Sequence, residues 1–586
     1  MLGFRAAQYM LGLVILAGCA VGSKVGDTFE QRALELERNA VARSYSEFLR
    51  GRYASLTNDP SVAASAYREA VRDNPFDTDL LERAVFTALI SGNPKGGIDI
   101  AKEAPDRVLS ESSLPRLTAG IAALADGRSR DSSRLLSAET SSQFNDIIAQ
   151  GVRAWAVLDR DGLAAADALL AETRSGDLLL DGLVLATRAI MQIHGEQDQE
   201  ALDTLDLLWE NGVRLAVTTE YQARLLARAG RPNDALDILT IFSATIGQNA
   251  SIEALKNKLE EGEALTLPRP TIKDGAALAV YMPAAALASQ TSNDLAGVYF
   301  ALALHLDPDL HVARTLWGDA LDKGDRRQDA IAMLETVPET SVFFATARGQ
   351  LAWVLRRENR NDEALKTAKT ALTASPDRNL KIQLGDLFRS LDQLEDAERI
   401  FSEVIEADAQ ANLSDWRILY ARGAARQRLG QWRDAETDLL AAVDLAPDQP
   451  ALLNYLGYSW IDRGENLEQG FSMIQKAVEL RPNAGFIVDS LGWAYYRLGH
   501  YEEAVTHLER AVELSPGEPV LNDHLGDAYW RVGRKLEAGF QWTRALRLDP
   551  DSSETALLEA KLETGLDDAG ALLAQGSALP DRAGSP

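Results

Sequence analysis

The stretch LGWAYYRLGHYEEAVTHLERAVELSP, residues 491–516, reads as two short helices folded back on each other. Gly492 and Ala504 stand 12 residues apart, one on each helix, where a close crossing leaves no room for a larger side chain. Leu508 follows Ala504 by four residues and fills the gap beside that crossing. Ala511, three further on, lets the next helix approach. Gly499 sits where the first helix must stop, a position that favours left-handed backbone and hence glycine. Pro516 ends the second helix, because it lacks the N–H a helix needs and pushes its predecessor out of the α region.

The same punctuation recurs on both sides. The small residue of the second helix appears at Ala296, Ala330, Ala364, Ala397, Ala435, Gly470, Ala504 and Ala538, at intervals of 34, 34, 33, 38, 35, 34 and 34 residues. Its partner 12 residues earlier is Gly318, Ala352, Gly385, Gly423, Gly492 or Gly526, and Gly457 precedes Gly470 by 13. Phe300, Phe401, Leu439, Leu508 and Trp542 take the gap-filling place, and Pro308, Pro376, Pro447, Pro482, Pro516 and Pro550 close units. A fixed period of this size marks stacked supersecondary units that cannot bury their apolar faces alone. The pattern resembles the 34-residue tetratricopeptide repeat. That resemblance implies an all-α superhelical solenoid of antiparallel helix pairs, about 14 hairpins in a right-handed superhelix with no β-sheet.

The amino-terminal half repeats the pattern less regularly. Residues 44–77 hold one full unit, with Gly51, Ala63, Tyr67, Ala70 and Pro75 in their places. Further pairs continue to residue 246, around Gly120, Ala154 with Ala166, Ala189 with Ala201, and Ala223 with Ala235. TLPRPTIKDG, residues 266–275, carries Pro268 and Pro270 and reads as a non-helical seam. The expected organisation is a divergent amino-terminal array over 41–265, a seam over 266–276 and a carboxy-terminal array over 277–552. A capping helix over 553–564 and a Gly- and Ala-rich tail over 565–586, expected to be disordered, complete it.

Charge argues against nucleic acid as a partner: 60 Lys and Arg against 87 Asp and Glu leave the chain at −27, whereas phosphate backbones need a basic surface. An anionic leaflet would also repel this surface, so attachment to a membrane calls for something other than charge. Cys19, the one cysteine, points to it. MLGFRAAQYMLGLVILAGC, residues 1–19, places Arg5 before an apolar stretch from Tyr9 to Leu16. That run is too short to span a bilayer and has the length of a secretory signal's apolar region. Leu16-Ala17-Gly18-Cys19 resembles the lipobox of bacterial lipoproteins. The resemblance implies a signal peptide over 1–18, a diacylglyceryl group and palmitate on Cys19, and a tether over 19–40 facing the periplasm. In such lipoproteins an aspartate after the cysteine marks inner-membrane retention, so Ala20 implies the outer membrane.

No catalytic motif accompanies the repeats. His194, His305, His311, His500, His507 and His524 form no HExxH and no cluster at zinc spacing. The sequence holds no P-loop, dinucleotide-binding turn or nucleophile elbow. The expectation is a chain that is not an enzyme and takes no cofactor, metal or small-molecule substrate. Function then falls to the inner wall. In tetratricopeptide repeats the first helix of each pair lines a concave groove, and those places hold Tyr420, Tyr458, Trp493, Tyr496, Arg497, Trp530 and Arg531, with Asp489 and Asp527 beside them. Tyr, Trp and Arg dominate binding energy at interfaces, which makes these nine residues the candidate partner groove. Repeats that clamp an acidic chaperone tail carry Lys and then Asn where this chain has Asn454, Asp489 and Asp523, then Tyr458, Trp493 and Asp527. That use is not expected.

NYLGYSWIDRGENLEQGFSMIQKAVELRP (454–482) and HLGDAYWRVGRKLEAGFQWTRAL (524–546) resemble a group of large bacterial tetratricopeptide lipoproteins. The group includes outer-membrane adaptors that bind a periplasmic carboxyl-terminal processing protease and bring it murein hydrolases to degrade. The resemblance implies a non-catalytic scaffold or adaptor for envelope proteins. The competing expectation is a structural component of a secretion or polysaccharide-export assembly.

Overall fold

A computed structural model describes residues 41–92, 94–138, 142–173, 176–288 and 293–569. Leu16, Ala17, Gly18, Cys19 and the tether lie outside the described residues, as does 570–586. Among the described residues every regular element is a helix.

The helix boundaries sit where the punctuation puts them. Pro232, Pro450 and Pro519 occupy first turns, where a missing N–H costs nothing. Asp77 and Asp377 cap their helices, Asp377 accepting from the backbone of Asn379 and Leu380. Gly499 has φ +83° and donates to the Tyr496 carbonyl, while His500 donates to Tyr495, closing the Gly485–Arg497 helix.

The chain divides into two compact units, Met1–Asn359 and Arg360–Pro586. The described part of the first begins with helix 41–56 and runs in pairs to Pro232–Thr245, interrupted by the short helix Asp106–Glu111 and followed by the single helix Ala250–Glu260. Its glycines mark crossings as the sequence expects: a Cβ at Gly51 would lie 2.9 Å from the Tyr67 ring, and one at Gly120 2.5 Å from Leu136. Residues 263–271 are non-helical, and Arg269 and His194 pin them to the end of the Leu178–His194 helix.

The hairpin after the seam departs from expectation. Its helices, Ile272–Ala288 and Asn293–Leu306, pack against Thr78–Ile90, Leu114–Ala125, Gln143–Asp161 and Leu178–His194, the first helices of four amino-terminal pairs. Gly275 through Ala284 are buried without interruption, as are Val298 through Ala303. A helix apolar on all sides is stable only when surrounded. Here the inner faces of the amino-terminal pairs surround it. Trp155 lies so close that a Cβ at Gly275 would come within 2.0 Å of its ring. Tyr299 donates to Asn145, whose amide donates to Ser113, so the buried phenol is satisfied. The 272–306 hairpin thus packs with the amino-terminal pairs, and the division into compact units falls at Asn359. The seam itself is shorter than expected, because helix resumes at Ile272.

The second unit holds five regular pairs between Arg378 and Arg547, flanked by Asn361–Ala374 and Ser552–Thr564. Its crossings show the steric reason for the repeat. A Cβ at Gly385 would lie 2.6 Å from Phe401, at Gly492 2.6 Å from Leu508, and at Gly526 2.4 Å from Trp542. The interval of 38 is an added helical turn: Leu394–Gln410 runs to 17 residues, and its extension carries Asp408, which Arg378 grips at 2.7 Å. Residues 566–569 are helical, and Asp567 accepts from Trp530 and Arg531, so the chain is still packed beyond Gly565.

Candidate functional site

The candidate groove residues of the second unit lie on the first helices of successive pairs, and the structure divides them into two groups. Tyr420 meets Tyr455 edge-on at 5.1 Å, and burial raises the pKa of both phenols. Tyr458 is half-buried beside Ile461, Ile474, Leu491 and Ala494. Trp493 stands between two parallel rings, Tyr496 at 4.7 Å and His524 at 4.1 Å. Its indole N–H is buried and has no hydrogen-bond partner among the described residues, and the same holds for Asn454 Oδ1 one repeat earlier. An unmade hydrogen bond of this kind costs about 1–3 kcal/mol. Arg497 is held by the side chain and carbonyl of Asp462.

Beneath the Trp493 stack lies an ionic pair. Asp489 is 5% exposed and accepts from His524 Nδ1 at 2.9 Å. His524 loses charge stability through burial, but the Asp489 carboxylate outweighs that loss and raises its pKa. This histidine escaped the motif search because its partner is one repeat away in sequence and belongs to no catalytic spacing.

The other predicted residues serve the end of the solenoid. Asp527 is buried and accepts from Trp542 Nε1 at 3.0 Å and from Lys561 Nζ at 2.8 Å. Lys561, 3% exposed, also binds Asp523 at 2.5 Å. Burial, together with Asp523, pushes the Asp527 carboxyl up to about 6 against the pull of Lys561. Trp530 leans on Trp542 at 5.5 Å and donates to Asp567 at 2.9 Å, while Arg531 bridges Asp567 and the Tyr496 hydroxyl. Asp527, Trp530 and Arg531 therefore bind the last helices among the described residues. The sequence signal for this cap was the acidic pair Asp523 and Asp527, one turn apart, with Lys561 about one repeat later. Tyr455, His524, Lys561 and Asp567 are the residues that sequence reasoning missed.

Among the described residues no group of three or more His, Cys, Asp or Glu side chains could hold a metal ion, and no helix is long and apolar enough to cross a membrane. What the wall offers chemically is flat aromatic surface with polar groups such as Arg497 beside it, the equipment for binding a polypeptide.

Comparison with known proteins agrees with the hairpin geometry. Tetratricopeptide repeat models match residues 315–379, 420–484 and 489–518. A tetratricopeptide repeat-containing protein of Pseudomonas aeruginosa, PA4667, is 29% identical over 163 residues, which is 28% of this chain and 27% of that protein. The chain thus matches about a quarter of that relative's length. Among solved structures, a tetratricopeptide repeat protein from Parabacteroides merdae is 15% identical and covers 43% of this chain and 97% of its own, with a TM-score of 0.37. The APC/C hetero-tetramer Cut9-Hcn1 is 14% identical and covers 91% of this chain and 98% of its own, also at 0.37. The protein MamA is 23% identical over 28% of this chain and 94% of its own, at 0.25. With its matched repeats, its helix pairs and the glycine crossings between them, this chain is an all-α solenoid of tetratricopeptide repeats.

Proposed function

We propose that this protein is a non-catalytic adaptor, anchored to the outer membrane through lipid on Cys19, that binds envelope proteins and delivers them to a periplasmic protease. Its partner site in this reading is the open wall formed by Tyr420, Tyr455, Tyr458, Trp493 and Tyr496. One observation carries the choice of wall. Trp493 is stacked with both Tyr496 and His524, so the wall there holds flat aromatic surface already ordered for a partner to bind. The amino-terminal pairs offer no comparable wall, since their inner faces hold the 272–306 hairpin. Asp527, Trp530 and Arg531 leave the site because they hold the end cap.

Affinity capture from detergent-solubilised envelope, followed by identification of the captured proteins, tests this reading. Trp493→Leu with Tyr496→Leu keeps an apolar side chain at each place but removes the flat rings. It should lower capture about thirtyfold while the melting curve stays close to wild type. Equal capture by the folded variant, or captured proteins that include no protease or protease substrate, would sink it. Cys19→Ser tests the anchor separately: the variant should leave the membrane fraction and lack the lipid mass.

A further inference from the structure

Near its start the first unit carries a half-open pocket of about 450 Å³, lined by Tyr67, Asp79, Glu82, Arg83, Phe86 and Asp294 among others. The volume is that of a pocket for a small molecule or one large side chain. Four carboxylates, Asp59, Asp79, Glu82 and Asp294, line it beside one guanidinium, and that guanidinium leans over Phe48 at 5.9 Å. Tyr67 is 1% exposed, yet its hydroxyl has no hydrogen-bond partner among the described residues. A buried phenol without a partner is a donor and acceptor waiting for one. Glu82 already accepts from the Ser113 N–H at 2.5 Å, and burial together with Asp79 holds its pKa high. A positive group in the cavity would relieve both the crowding of carboxylates and the unmet phenol.

We propose that this cavity binds an organic cation, a guanidinium or ammonium group, between the carboxylates of Asp79, Glu82 and Asp294, with the Tyr67 hydroxyl accepting one of its N–H bonds. Phe86 adds an aromatic wall, which suits such cations. Arginine is matched better than a metal ion, because the pocket is roomy and partly apolar and its carboxylates are not gathered closely enough to hold a metal ion. This site is independent of the adaptor reading and lies in the unit that the reading leaves without a partner.

The test is calorimetric titration of the full chain with three cations: agmatine, spermidine, and a capped Gly-Arg-Gly peptide. The same peptide with citrulline, equal in shape but uncharged, serves as control. Saturable binding of at least one cation is expected, with the citrulline peptide silent. Tighter binding of the peptide assigns the cation to a partner's side chain, and tighter binding of the amines assigns it to a free polyamine. Asp79→Asn and Tyr67→Phe should each weaken binding about tenfold. Tyr67→Phe removes only an unpaired oxygen, so its melting temperature should equal or exceed that of wild type, which separates lost binding from lost folding. Failure of all three cations to bind, equal binding of the citrulline peptide, or wild-type affinity in Tyr67→Phe overturns the proposal.

Discussion

In the first unit the inner faces of successive pairs close over a hairpin that is apolar on every side. In the second the matching faces carry Tyr, Trp, Arg and Asp, and bond to one another along the wall. Both use the same crossing, a glycine on one helix under a large side chain on the next, as at Gly51 with Tyr67 and Gly526 with Trp542. The crossing therefore sets the hairpin, and the inner positions set what the wall becomes. Leu, Val and Ala there make a core, while aromatic and charged residues make a surface. A repeat of one geometry serves either purpose, because backbone packing is settled on the side of the hairpin away from the choice.

The end of the second unit is the place where that distinction is cut finest, since its charged wall is buried by the last helix. Lys561→Ala would leave Asp523 and Asp527 without their cation. Removing one partner of a buried pair costs about 3–5 kcal/mol, so the second unit should lose most of its local stability near Pro519–Thr564. Hydrogen exchange should show this loss there and no change in the first unit. A neutral outcome would mean that the cap is a surface like the rest of the wall.

A smaller effect tests the core of the first unit. Gly275→Val drives a side chain into Trp155, and overpacking of this kind costs about 1–3 kcal/mol. Exchange should quicken in Gln143–Asp161 and Leu178–His194 while partner capture by the second unit stays as it was. If capture falls instead, the hairpin is part of the binding surface and the contrast between the units is wrong. Arg531→Ala is smaller still. Its ion pair with Asp567 is half-exposed and worth less than about 1 kcal/mol, so both melting and capture should barely move.

Much of this architecture could be read from spacing, because the repeat is a steric rule. Gly492 lies under Leu508 and Gly385 under Phe401 wherever the helices cross, and no distant contact can alter that. The placing of the 272–306 hairpin could not be read in the same way. Spacing says which helix pairs with its neighbour in the chain, whereas this hairpin is claimed by helices far earlier in the sequence, back to Thr78–Ile90. The usable signal was its apolarity on all faces, unlike the amphipathic second helices downstream. At the candidate site, Trp493 and Tyr496 could be picked out as wall residues from position alone. The fate of Asp527 and Trp530 depended on Lys561 and Asp567, and a separation of one repeat looks the same whether two residues touch or face water.

The last expected effect is a dependence of the second unit on pH, and its sign is set by two groups that hold their protons more tightly when folded. His524 faces Asp489, with Asp523 and Asp527 near, and its pKa is raised above the ordinary 6.5. Its contribution is complete below 6.5 and is lost as pH rises through the raised value. Asp527, between Asp523, Lys561 and Trp542, is pushed up from 3.8 to about 6, so protonation favours the folded state as pH falls through 6. In both cases the native state binds more protons than the unfolded chain, and stability must fall as pH rises. Urea unfolding followed near Gly485–Thr564 should show its midpoint drifting down as pH rises from 3.8 through about 6, where Asp527 gives up its proton, and again above 6.5, where His524 does. His524→Gln should flatten the part of that slope above 6.5 and leave the part near 6, while Asp527→Asn should do the reverse. A slope that survives in both variants would place its origin elsewhere in the unit and leave the Asp489–His524 pair as a simple packing contact beneath Trp493.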